Sequence, residues 1–583
     1  MSEIREQQLL TQDERDRRVL ELCEQVSEIE HRLIPTGLHV FGRASVADER
    51  GDLLRMVASF DRPETGARAL PQLVEEGLDL KTTSQTGDAA AACEKSFEAR
   101  ERVEAITREG IRRFLQDGSE AACAWLETTA GVPLVESRRV FALLESIAAQ
   151  LEDNQELDAF ARALRGEYIE PGPGADIVQN PAILLTGRNT HAVNPYGVPS
   201  DLAYARAERL VKLLLERHLG EHGRYPAAMA LVLWGLDNIK TQGEGVAQAL
   251  WLLGVRPVRD RMNRVTDVEP IPLEQLGRPR IDVVMTVSGI FRDLFGATMG
   301  LLDRAVRSVA ALDEPHEWNF VRRNIRARME AEACPFEEAA LRVFSNAAGN
   351  YGTNVNFMVM DSQWEADDSL ADLFVTRKCF AYGRDSAGRA LEGREARAAL
   401  NGALARVEAT YQNIDSFEIG ITDVDHYFEY LGGVSKAVEK QAETRPAIYL
   451  SDSLSREAKV RSVEETIRLE TRTKTLNPKW YEGMLKHGFR GVAEIESHVA
   501  NTFGWSATTG GVDEWVYTEV AETFLLDKEM LERLGQLNPH SARSLAARLL
   551  EANGRGFWRP DADMIERVRE SMVALEDRLE GVA

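Results

Sequence analysis

The chain has 583 residues, more than one compact hydrophobic core usually organises, which predicts roughly three or four structural units. Its hydrophobic fraction of 44% and charged fraction of 28% are ordinary for a globular protein in water. A formal net charge of -24 argues against nucleic acid or an anionic membrane surface as the main partner, because both select basic patches. No apolar run approaches the ~20 residues that cross a bilayer, so no transmembrane segment is predicted.

The cysteines are scattered along the chain, and none are spaced as Cys-x-x-Cys. This pattern favours reduced thiols over a disulfide framework or a zinc site. Residues 1–30 are highly charged and lack the apolar core of a signal peptide. We therefore expect a soluble, cytoplasmic protein. The cysteines expected to be reduced are Cys23, Cys93, Cys123, Cys334 and Cys379.

Three regions with different sequence patterns follow one another along the chain. Residues 1–168 are charged and periodic in the manner of helices. Alternating proline and glycine at residues 170–174 cannot continue a helix and mark a boundary. Residues 175–330 then predict an α/β domain, and residues 331–583 predict a helix-rich α/β region with short strands.

Apolar runs in the middle region predict the strands of a parallel sheet. Ala182–Leu185, Ala228–Trp234 and Ile281–Val287 are continuous apolar segments, each followed by an amphipathic helix. Continuous apolar strands are typical of a parallel sheet that is covered on both faces. The predicted fold class is therefore α/β, a doubly wound parallel sheet domain flanked by largely helical N-terminal and C-terminal regions. Strand candidates in the last region are Arg342–Phe344, Glu418–Ile421 and Ala447–Leu450.

Polar loops follow the three predicted strands at residues 186–191, 235–240 and 288–293, and a fourth such loop lies at 345–350. Ligands of open α/β sheets bind beyond the carboxyl ends of the strands, so these loops together predict one binding crevice. Arginine and lysine side chains there can pair with ligand carboxylates, and aromatic rings can offer flat apolar contact. Alternatively, the loops bind nothing and the aromatic rings belong to the core. The candidate binding residues are Arg188, His191, Trp234, Asp237, Lys240, Phe291 and Arg292.

Several common catalytic motifs are absent from the sequence. It contains no Gly-x-x-x-x-Gly-Lys-Ser/Thr motif, so ATP hydrolysis through a phosphate-binding loop is not expected in this chain. It also has no Gly-x-Gly-x-x-Gly after a strand, no His-Glu-x-x-His and no Gly-x-Ser-x-Gly. These absences argue against dinucleotide binding, zinc-protease and serine-hydrolase chemistry.

Six stretches carry a family resemblance: Ile34–Gly42, Leu231–Thr241, Gly277–Val284, Ser288–Phe295, Leu476–Met484 and Glu551–Gly556. In order and over nearly the whole chain, they resemble the C-terminal half of the large, porphyrin-binding subunit of magnesium chelatase. The related cobaltochelatase large subunit shares much of this framework. Asp237–Lys240 and Asp423–Phe428 are more similar to the magnesium branch, which we therefore prefer.

The resemblance implies insertion of Mg²⁺ into protoporphyrin IX, a step of chlorophyll and bacteriochlorophyll biosynthesis, with both Mg²⁺ and the porphyrin as substrates. It also implies that ATP is hydrolysed by two separate partner subunits of the AAA+ type. The alternatives are the cobaltochelatase large subunit of cobalamin biosynthesis, a non-catalytic porphyrin carrier, and an assembly module.

One departure from the family concerns a segment of the type His-Gly-x-Leu-Glu that lies upstream of the counterpart of Ile34. This chain has no match to it, so we expect the chain alone to be inactive. It is then an expressed fragment, one piece of a split subunit whose N-terminal half is a separate partner, or a carrier relative.

A cluster of four acidic residues and one histidine suits the chemistry of metallation. It lies at and just after the strand candidate Glu418–Ile421 and comprises Glu418, Asp423, Asp425, His426 and Glu429. Mg²⁺ prefers hard oxygen ligands, so Glu418, Asp423 and Asp425 are the candidate metal ligands. A base must also remove two pyrrole protons, and His426 is the candidate catalytic base, a position that the resemblance independently suggests. In the alternative, the two aspartates cap a helix and His426 is an ordinary surface histidine.

Overall fold

A computed structural model describes residues 12–32, 34, 37–62, 65–80, 89–174, 177–190, 194–366, 368–385, 387–416, 418–452 and 458–582. The chain divides into two compact units. The first comprises Met1–Pro35 and His39–His191, and the second comprises Thr36–Leu38 and Ala192–Ala583. Among the described residues, no helix combines the length and the apolar character needed to cross a membrane.

The first unit is helical, as the sequence predicted. Its core is built from apolar side chains at helical spacing, including Phe114 and Phe141, whose rings stack with centroids 5.2 Å apart. Its described α-helices are Gln12–His31, Ala47–Ala58, Leu70–Gly77, Ala89–Asp117, Ser119–Ala130, Leu134–Glu152 and Glu156–Leu164.

The prediction that all five cysteines are reduced is wrong, because Cys23 and Cys93 form a disulfide. Their helices, Gln12–His31 and Ala89–Asp117, pack against each other and bring the two Cα atoms to 5.9 Å. The two cysteines are 70 positions apart in sequence, so their spacing alone gave no signal of this pairing.

The predicted strand Ala182–Leu185 is also wrong. Pro181–Ile183 forms one turn of 3₁₀ helix, because the Asn180 side chain accepts a hydrogen bond from the Ala182 N–H at 3.2 Å. Among the residues of this region that the structure describes, strand pairing is limited to a two-residue parallel ladder, in which β1 (Pro171–Gly172) pairs with β2 (Asn189–Thr190). The loop at 186–191 therefore does not follow a strand of the main sheet.

The second unit contains the main sheet and a separate antiparallel hairpin. The hairpin pairs β4 (Val255–Arg259) with β5 (Val265–Pro270). The main sheet has eight strands: β3 (Ala228–Leu233), β6 (Asp282–Val287), β7 (Val343–Ser345), β8 (Phe380–Arg384), β9 (Ala390–Glu395), β10 (Ala409–Ile414), β11 (Ala447–Asp452) and β12 (Lys459–Ser462). Their spatial order is β12-β11-β10-β3-β6-β7-β8-β9.

The five central strands, from β11 to β7, are parallel, and antiparallel strands extend both edges. The predicted strands at 228–234, 281–287, 342–344 and 447–450 are confirmed to within one or two residues. The sheet is continuous across residue 330, where the sequence suggested a boundary, because β3 and β6 lie between β10 and β7. The candidate strand Glu418–Ile421 is wrong, since these residues form a loop.

Helices cover both faces of the sheet, which confirms the predicted α/β class. One face buries Met229 and Leu231 in a cluster with Leu214, Leu250 and Val306, which belong to the helices Asp201–His222, Glu244–Leu253 and Gly296–Ala311. On the opposite face, the Thr410 hydroxyl of β10 lies 2.7 Å from the Ser435 hydroxyl of helix Gly433–Ala442. Uninterrupted burial of β3 and β6 is what a sheet covered on both faces requires.

Further helices follow the sheet strands and form a large C-terminal helical part. The described α-helices of the second unit are Asp201–His222, Gly235–Lys240, Glu244–Leu253, Leu273–Leu276, Gly289–Leu294, Gly296–Ala311, Phe320–Glu332, Phe336–Ala339, Val355–Met360, Asp368–Lys378, Arg397–Leu404, Asp425–Tyr427, Gly433–Ala442, Val463–Glu470, Pro478–Leu485, Phe489–Thr509, Glu514–Ala521, Lys528–Leu537, Pro539–Gly554 and Ala562–Glu580. One 3₁₀ turn lies at Pro195–Gly197, and π-helical turns lie at Phe428–Gly432, Thr471–Thr475 and Glu522–Leu526.

Candidate functional site

A cavity of about 290 Å³ lies at the carboxyl ends of four neighbouring parallel strands, β10, β3, β6 and β7. Most of its surface is apolar, and its lining comes from the loops and short helices that follow these strands. The lining residues are Trp234, Gly235, Leu236, Asp237, Lys240, Ser288, Gly289, Ile290, Tyr351, Gly352, Asp415, Ile419, Val424, His426, Tyr427 and Tyr430. Two of the loops predicted for the crevice, at 235–240 and 288–293, contribute to this cavity, whereas no described residue of the loop at 186–191 lines it.

Two short helices reach the cavity because glycines let their first turns approach each other closely. A Cβ atom at Gly235 would lie 2.7 Å from the backbone nitrogen of Phe291, so no other residue is accommodated there without movement. The Ser288 hydroxyl accepts hydrogen bonds from the N–H groups of Gly235 at 3.0 Å and Phe291 at 3.2 Å. The ends of β3 and β6 are thereby held together.

Aromatic rings form one wall of the cavity. The Trp234 ring lies 4.5 Å from the Tyr430 ring and 5.9 Å from the Tyr427 ring, measured between centroids. Its indole N–H donates to Gln412 Oε1 at 3.3 Å, which fixes the plane of the ring. Tyr351 lies at the rim over Gly289 and keeps 56% of its surface exposed. These rings offer the flat apolar contact that the sequence assigned to Trp234.

The polar floor of the cavity consists of Asp237, Asp415 and Lys240. Lys240 Nζ lies 2.9 Å from Asp415 Oδ2, and the Tyr427 hydroxyl donates to Asp415 Oδ1 at 3.3 Å. Asp237 is 3% exposed. Its burial, together with the charges of Asp415 and Glu244, raises the pKa of Asp237 well above its usual range. The floor therefore carries a carboxyl group whose ionisation is disfavoured, beside an ion pair.

Asn413, at the end of β10, links this floor to the interior of the unit. Its amide N–H group donates to Asp237 Oδ1 and to Glu244 Oε1, each at 3.4 Å. Its amide oxygen accepts from Gln248 Nε2 at 3.2 Å and from the Ser451 hydroxyl. All of these groups are buried, so the network fixes the Asp237 carboxyl from below.

His426 and Glu429 form a histidine–carboxylate pair at the side of the cavity. His426 Nδ1 lies 2.8 Å from Glu429 Oε2, three residues along the chain where the helix widens into a π-helical turn. The His426 side chain is 60% exposed, whereas that of Glu429 is 1% exposed. The hydrogen bond and the charge of Glu429 raise the pKa of His426 above its usual value. With Nδ1 hydrogen-bonded to Glu429, Nε2 is the ring nitrogen available to exchange a proton.

Glu429 is itself fixed by the loop that follows β7. Glu429 Oε1 accepts from the N–H groups of Thr353 and, at 2.8 Å, Asn354, and from the Thr353 hydroxyl at 3.0 Å. Although burial alone would raise it, these bonds and His426 lower the pKa of Glu429, which stays ionised. The carboxylate therefore orients the His426 ring and favours its protonated form.

The loop that carries Ile419 and Val424 into the cavity is held by side chains from the C-terminal helices. Glu470 accepts from the N–H groups of Ile421 and Thr422, each at 2.9 Å. Asn501 donates to the Thr422 carbonyl at 2.8 Å, and the Trp505 indole donates to the Ile421 carbonyl at 2.9 Å. These contacts replace the strand pairing that the sequence suggested for residues 418–421.

The cavity brings together Trp234, Asp237 and Lys240, which were predicted for the crevice, and His426, which was predicted separately as the catalytic base. Lys240, expected to meet a ligand carboxylate, is instead paired with Asp415. Phe291 lies in the core, fully buried against Phe295.

The two arginines and His191 that were predicted for the crevice are not among the residues that line the cavity. Arg292 donates to the carbonyls of Ala347 at 2.7 Å and Asn350 at 2.8 Å, so it braces the rim rather than facing the cavity. Arg188 is an exposed residue of the first unit, and His191 lies outside the described residues.

The three candidate metal ligands are not assembled into one group. Glu418 is exposed, Asp425 accepts from the Asn356 amide at 2.6 Å, and Asp423 pairs with Lys474 and, at 3.0 Å, with His498 Nε2. Although burial raises it, the charges of Lys474 and His498 hold the pKa of Asp423 far below its usual range. Across the described ranges of the chain, no three histidine, cysteine or acidic side chains are arranged to hold a metal ion.

Sequence reasoning did not assign three residues that shape the site: Asp415, Tyr351 and Tyr430. Glu429 was included in the acidic cluster around His426, but without a role of its own. Tyr430 carried a usable signal, because it follows His426 at helical spacing. Asp415 carried none, since the strand that ends just before it, β10, was not predicted. Tyr351 directly follows the predicted fourth loop, whose chemistry was left unspecified.

Comparison with known proteins places the chain in a family. A family model described as CobN/Magnesium Chelatase matches residues 2–565. The chloroplastic magnesium-chelatase subunit ChlH of Oryza sativa subsp. japonica is 41% identical over 602 residues, covering 98% of this chain and 43% of that protein. A magnesium-chelatase subunit of Cereibacter sphaeroides is 45% identical over 438 residues, covering 75% of this chain and 36% of that protein.

A solved structure gives the same assignment. The catalytic subunit of cobaltochelatase from Mycobacterium tuberculosis superposes with a TM-score of 0.88 at 31% identity, covering 97% of this chain and 47% of that one. The chain thus spans less than half the length of the relatives it matches. A match over nearly the entire chain in both sequence and structure shows that this protein belongs to the CobN/magnesium chelatase family.

Proposed function

We propose that this chain forms one part of the porphyrin-binding large subunit of a magnesium chelatase, which inserts Mg²⁺ into protoporphyrin IX. The observation that carries the proposal is the His426–Glu429 pair beside an aromatic cavity at the carboxyl ends of the parallel strands. The magnesium-chelatase relatives of 41% and 45% identity support the choice of metal.

His426 acts as a base in this proposal. A pyrrole N–H loses its proton as Mg²⁺ binds the ring nitrogens, and His426 Nε2 accepts that proton. Glu429 holds the opposite ring nitrogen, Nδ1, at 2.8 Å and stabilises the imidazolium that forms. His426 then passes its proton to solvent, and the second pyrrole proton also leaves to solvent, so two protons are released for each Mg²⁺ that enters the macrocycle.

The aromatic wall holds the substrate in this scheme. The rings of Trp234, Tyr427 and Tyr430 provide a surface on which part of a flat macrocycle stacks. Glu418, Asp423 and Asp425 are not proposed as a joint Mg²⁺ site, because two of them are already engaged by other side chains. Asp425 is proposed only to come close to the incoming Mg²⁺, next to His426. Its Oδ1 atom lies 3.8 Å from His426 Nδ1.

Two AAA+ subunits that hydrolyse ATP, and a polypeptide corresponding to the rest of the large subunit, complete the proposed enzyme. The test is reconstitution of this chain with those components and ATP, supplied either with protoporphyrin IX and Mg²⁺ or with a metal-free corrin-type macrocycle and Co²⁺. We expect ATP-dependent formation of the magnesium porphyrin only when the remaining large-subunit polypeptide is present. Metallation of a corrin-type macrocycle with Co²⁺ and none of protoporphyrin with Mg²⁺ would assign the chain to the cobalt branch, which the structural match favours.

Saturable porphyrin binding without metallation by the complete mixture would favour the carrier function instead. Absence of any porphyrin binding would leave the assembly function. The carrier function and the assembly function are thus distinguished by different results of the same experiment.

A further inference from the structure

The cationic groups in and around the cavity are already engaged. Among the described residues that line it, Lys240 is the one lysine or arginine, and Asp415 holds its ammonium group at 2.9 Å. Behind the wall, Lys378 is fully buried and donates to the Val287 carbonyl and to Asn346 Oδ1, both at 2.9 Å. Arg292 donates through Nη1 to main-chain carbonyls and through Nε to Asp293, and His426, which also lines the cavity, is held by Glu429 at 2.8 Å.

A ligand carboxylate that entered this cavity would therefore meet no unpaired cation in the described lining. It would instead face Asp415 and Asp237, two carboxyl groups that are almost completely buried. Burial of an unpaired negative charge in such surroundings is strongly unfavourable. The floor of the cavity thus disfavours carboxylates.

The remaining surface suits an apolar, flat group. Trp234, Ile290, Tyr427 and Tyr430 face the cavity from different elements. Its volume of about 290 Å³ is at the lower limit for a small-molecule site, so it holds part of a macrocycle of four pyrrole rings and not the whole. The cavity therefore selects which edge of the macrocycle enters.

We propose that the cavity admits the edge of the tetrapyrrole that carries no carboxylates, leaving the propionates at its mouth, and that the Lys240–Asp415 pair sets this orientation. This inference rests on the proposed function, since it takes a porphyrin as the ligand. In protoporphyrin IX, both propionates lie on one edge and the opposite edge carries methyl and vinyl groups. The pair acts by cancelling the charge of Lys240, the one lysine or arginine of the described lining, which would otherwise attract a propionate inward.

The test compares three porphyrins by Soret titration of the full chain: protoporphyrin IX, its neutral bis-hydroxyethylamide, in which both propionates are amidated, and coproporphyrin III, which carries propionates on all four rings. We expect amidation to change the dissociation constant by less than about threefold, because the propionates remain in water. Coproporphyrin III should bind at least about tenfold more weakly, because neither edge is free of carboxylates.

The opposite pattern, with weak binding of the amide and undiminished binding of coproporphyrin III, would overturn the orientation while leaving the proposed function standing. Absence of saturable protoporphyrin IX binding would overturn the proposed function itself. The two failures are therefore distinguishable with the wild-type chain alone.

A variant tests whether the Lys240–Asp415 ion pair causes the preference between the porphyrins. Asp415→Asn releases the Lys240 ammonium, so we expect the preference for protoporphyrin IX over coproporphyrin III to fall by about tenfold. The matched control Asp313→Asn also breaks an aspartate pair, with Arg322 at 2.8 Å, but at a fully exposed side chain, and should leave the preference unchanged. An unaltered preference in a folded Asp415→Asn protein would remove the pair from the account. If that variant does not fold, the wild-type series still decides the orientation.

Discussion

Two histidine–carboxylate pairs have carboxylates that lie close together in sequence but in different surroundings. His426 pairs with Glu429 at 2.8 Å and keeps 60% of its side chain exposed beside the cavity. His498 pairs with Asp423 at 3.0 Å, has no exposed surface, and packs against the Trp480 ring at 4.4 Å. In the first pair the carboxylate is buried and the histidine is accessible, whereas in the second the histidine is sealed.

This difference assigns the two pairs different roles. A base in catalysis needs one ring nitrogen that a substrate can reach, and only His426 has it. The Asp423–His498 contact, together with Lys474, lies between the loop at 418–424 and the C-terminal helices. The His426–Glu429 pair is therefore suited to proton transfer at the cavity, whereas the His498–Asp423 pair stabilises the fold.

The largest expected effect concerns the exposed pair. His426→Ala should lower the rate of magnesium porphyrin formation in the reconstituted enzyme by about 1,000-fold, because the proton acceptor is lost. The free energy of unfolding should change by less than about 0.5 kcal/mol, since the side chain is largely exposed. His316→Ala, at another exposed histidine, is the matched control. Full activity of the His426 variant would exclude it as the base.

Disrupting the buried Asp423–His498 pair should instead lower the stability of the protein. Asp423→Asn should lower the free energy of unfolding by about 3 kcal/mol in urea denaturation, because Lys474 then keeps a buried charge without its partner. Asp423 has a lowered pKa, so its contribution is complete above the unfolded pKa of about 3.9 and is lost as pH falls through the lower folded value. A deficit below about 0.5 kcal/mol at pH 7 would contradict the structural role.

An isosteric change at Glu429 tests whether that residue orients His426. In Glu429→Gln, an amide N–H facing His426 Nδ1 places the ring proton on Nε2, where it blocks proton acceptance. We expect kcat to fall by at least about tenfold with little change in KM for the porphyrin. A rise in KM at unchanged kcat would indicate that Glu429 shapes the cavity and does not act through His426.

The smallest expected effect is the pH dependence of the free energy of unfolding that the His426–Glu429 pair produces. The pKa of His426 is raised, so its contribution to stability is complete below the unfolded pKa of about 6.5 and is lost as pH rises through the higher folded value. Solvent screens this exposed group, so the contribution stays below about 1 kcal/mol. The difference in unfolding free energy between wild type and Glu429→Gln should narrow from pH 6 to pH 9. A difference that grows over this range would contradict the assigned pairing.

The sequence correctly predicted those strands of the sheet whose buried residues form a continuous apolar run. Strands β3 and β6 follow this rule, and the loops after them supplied Trp234, Asp237 and Lys240. Strand β10 escaped prediction because it buries polar side chains. Thr410 and Asn413 satisfy theirs through partners distant in sequence.

Other errors share this origin in long-range contacts. Residues 418–421 have strand-like composition, but their backbone is held by Glu470 and Trp505 from helices later in the chain. The Cys23–Cys93 disulfide depends on how two helices pack. At the site, His426 was predicted from local sequence, whereas Asp415, which neutralises Lys240, was not. Such pairings are decided by the tertiary fold, which local patterns do not encode.

The central claim is that a porphyrin occupies the cavity between Trp234, Ile290 and Tyr430. Ile290→Trp fills this space from a residue that is 39% exposed and belongs to none of the ion pairs described above. Titration with protoporphyrin IX, followed by the Soret band, should show saturable binding to the wild type and at least about tenfold weaker binding to the variant, with equal thermal stability. Equal affinity of the two proteins, or no saturable binding to the wild type, would contradict the claim.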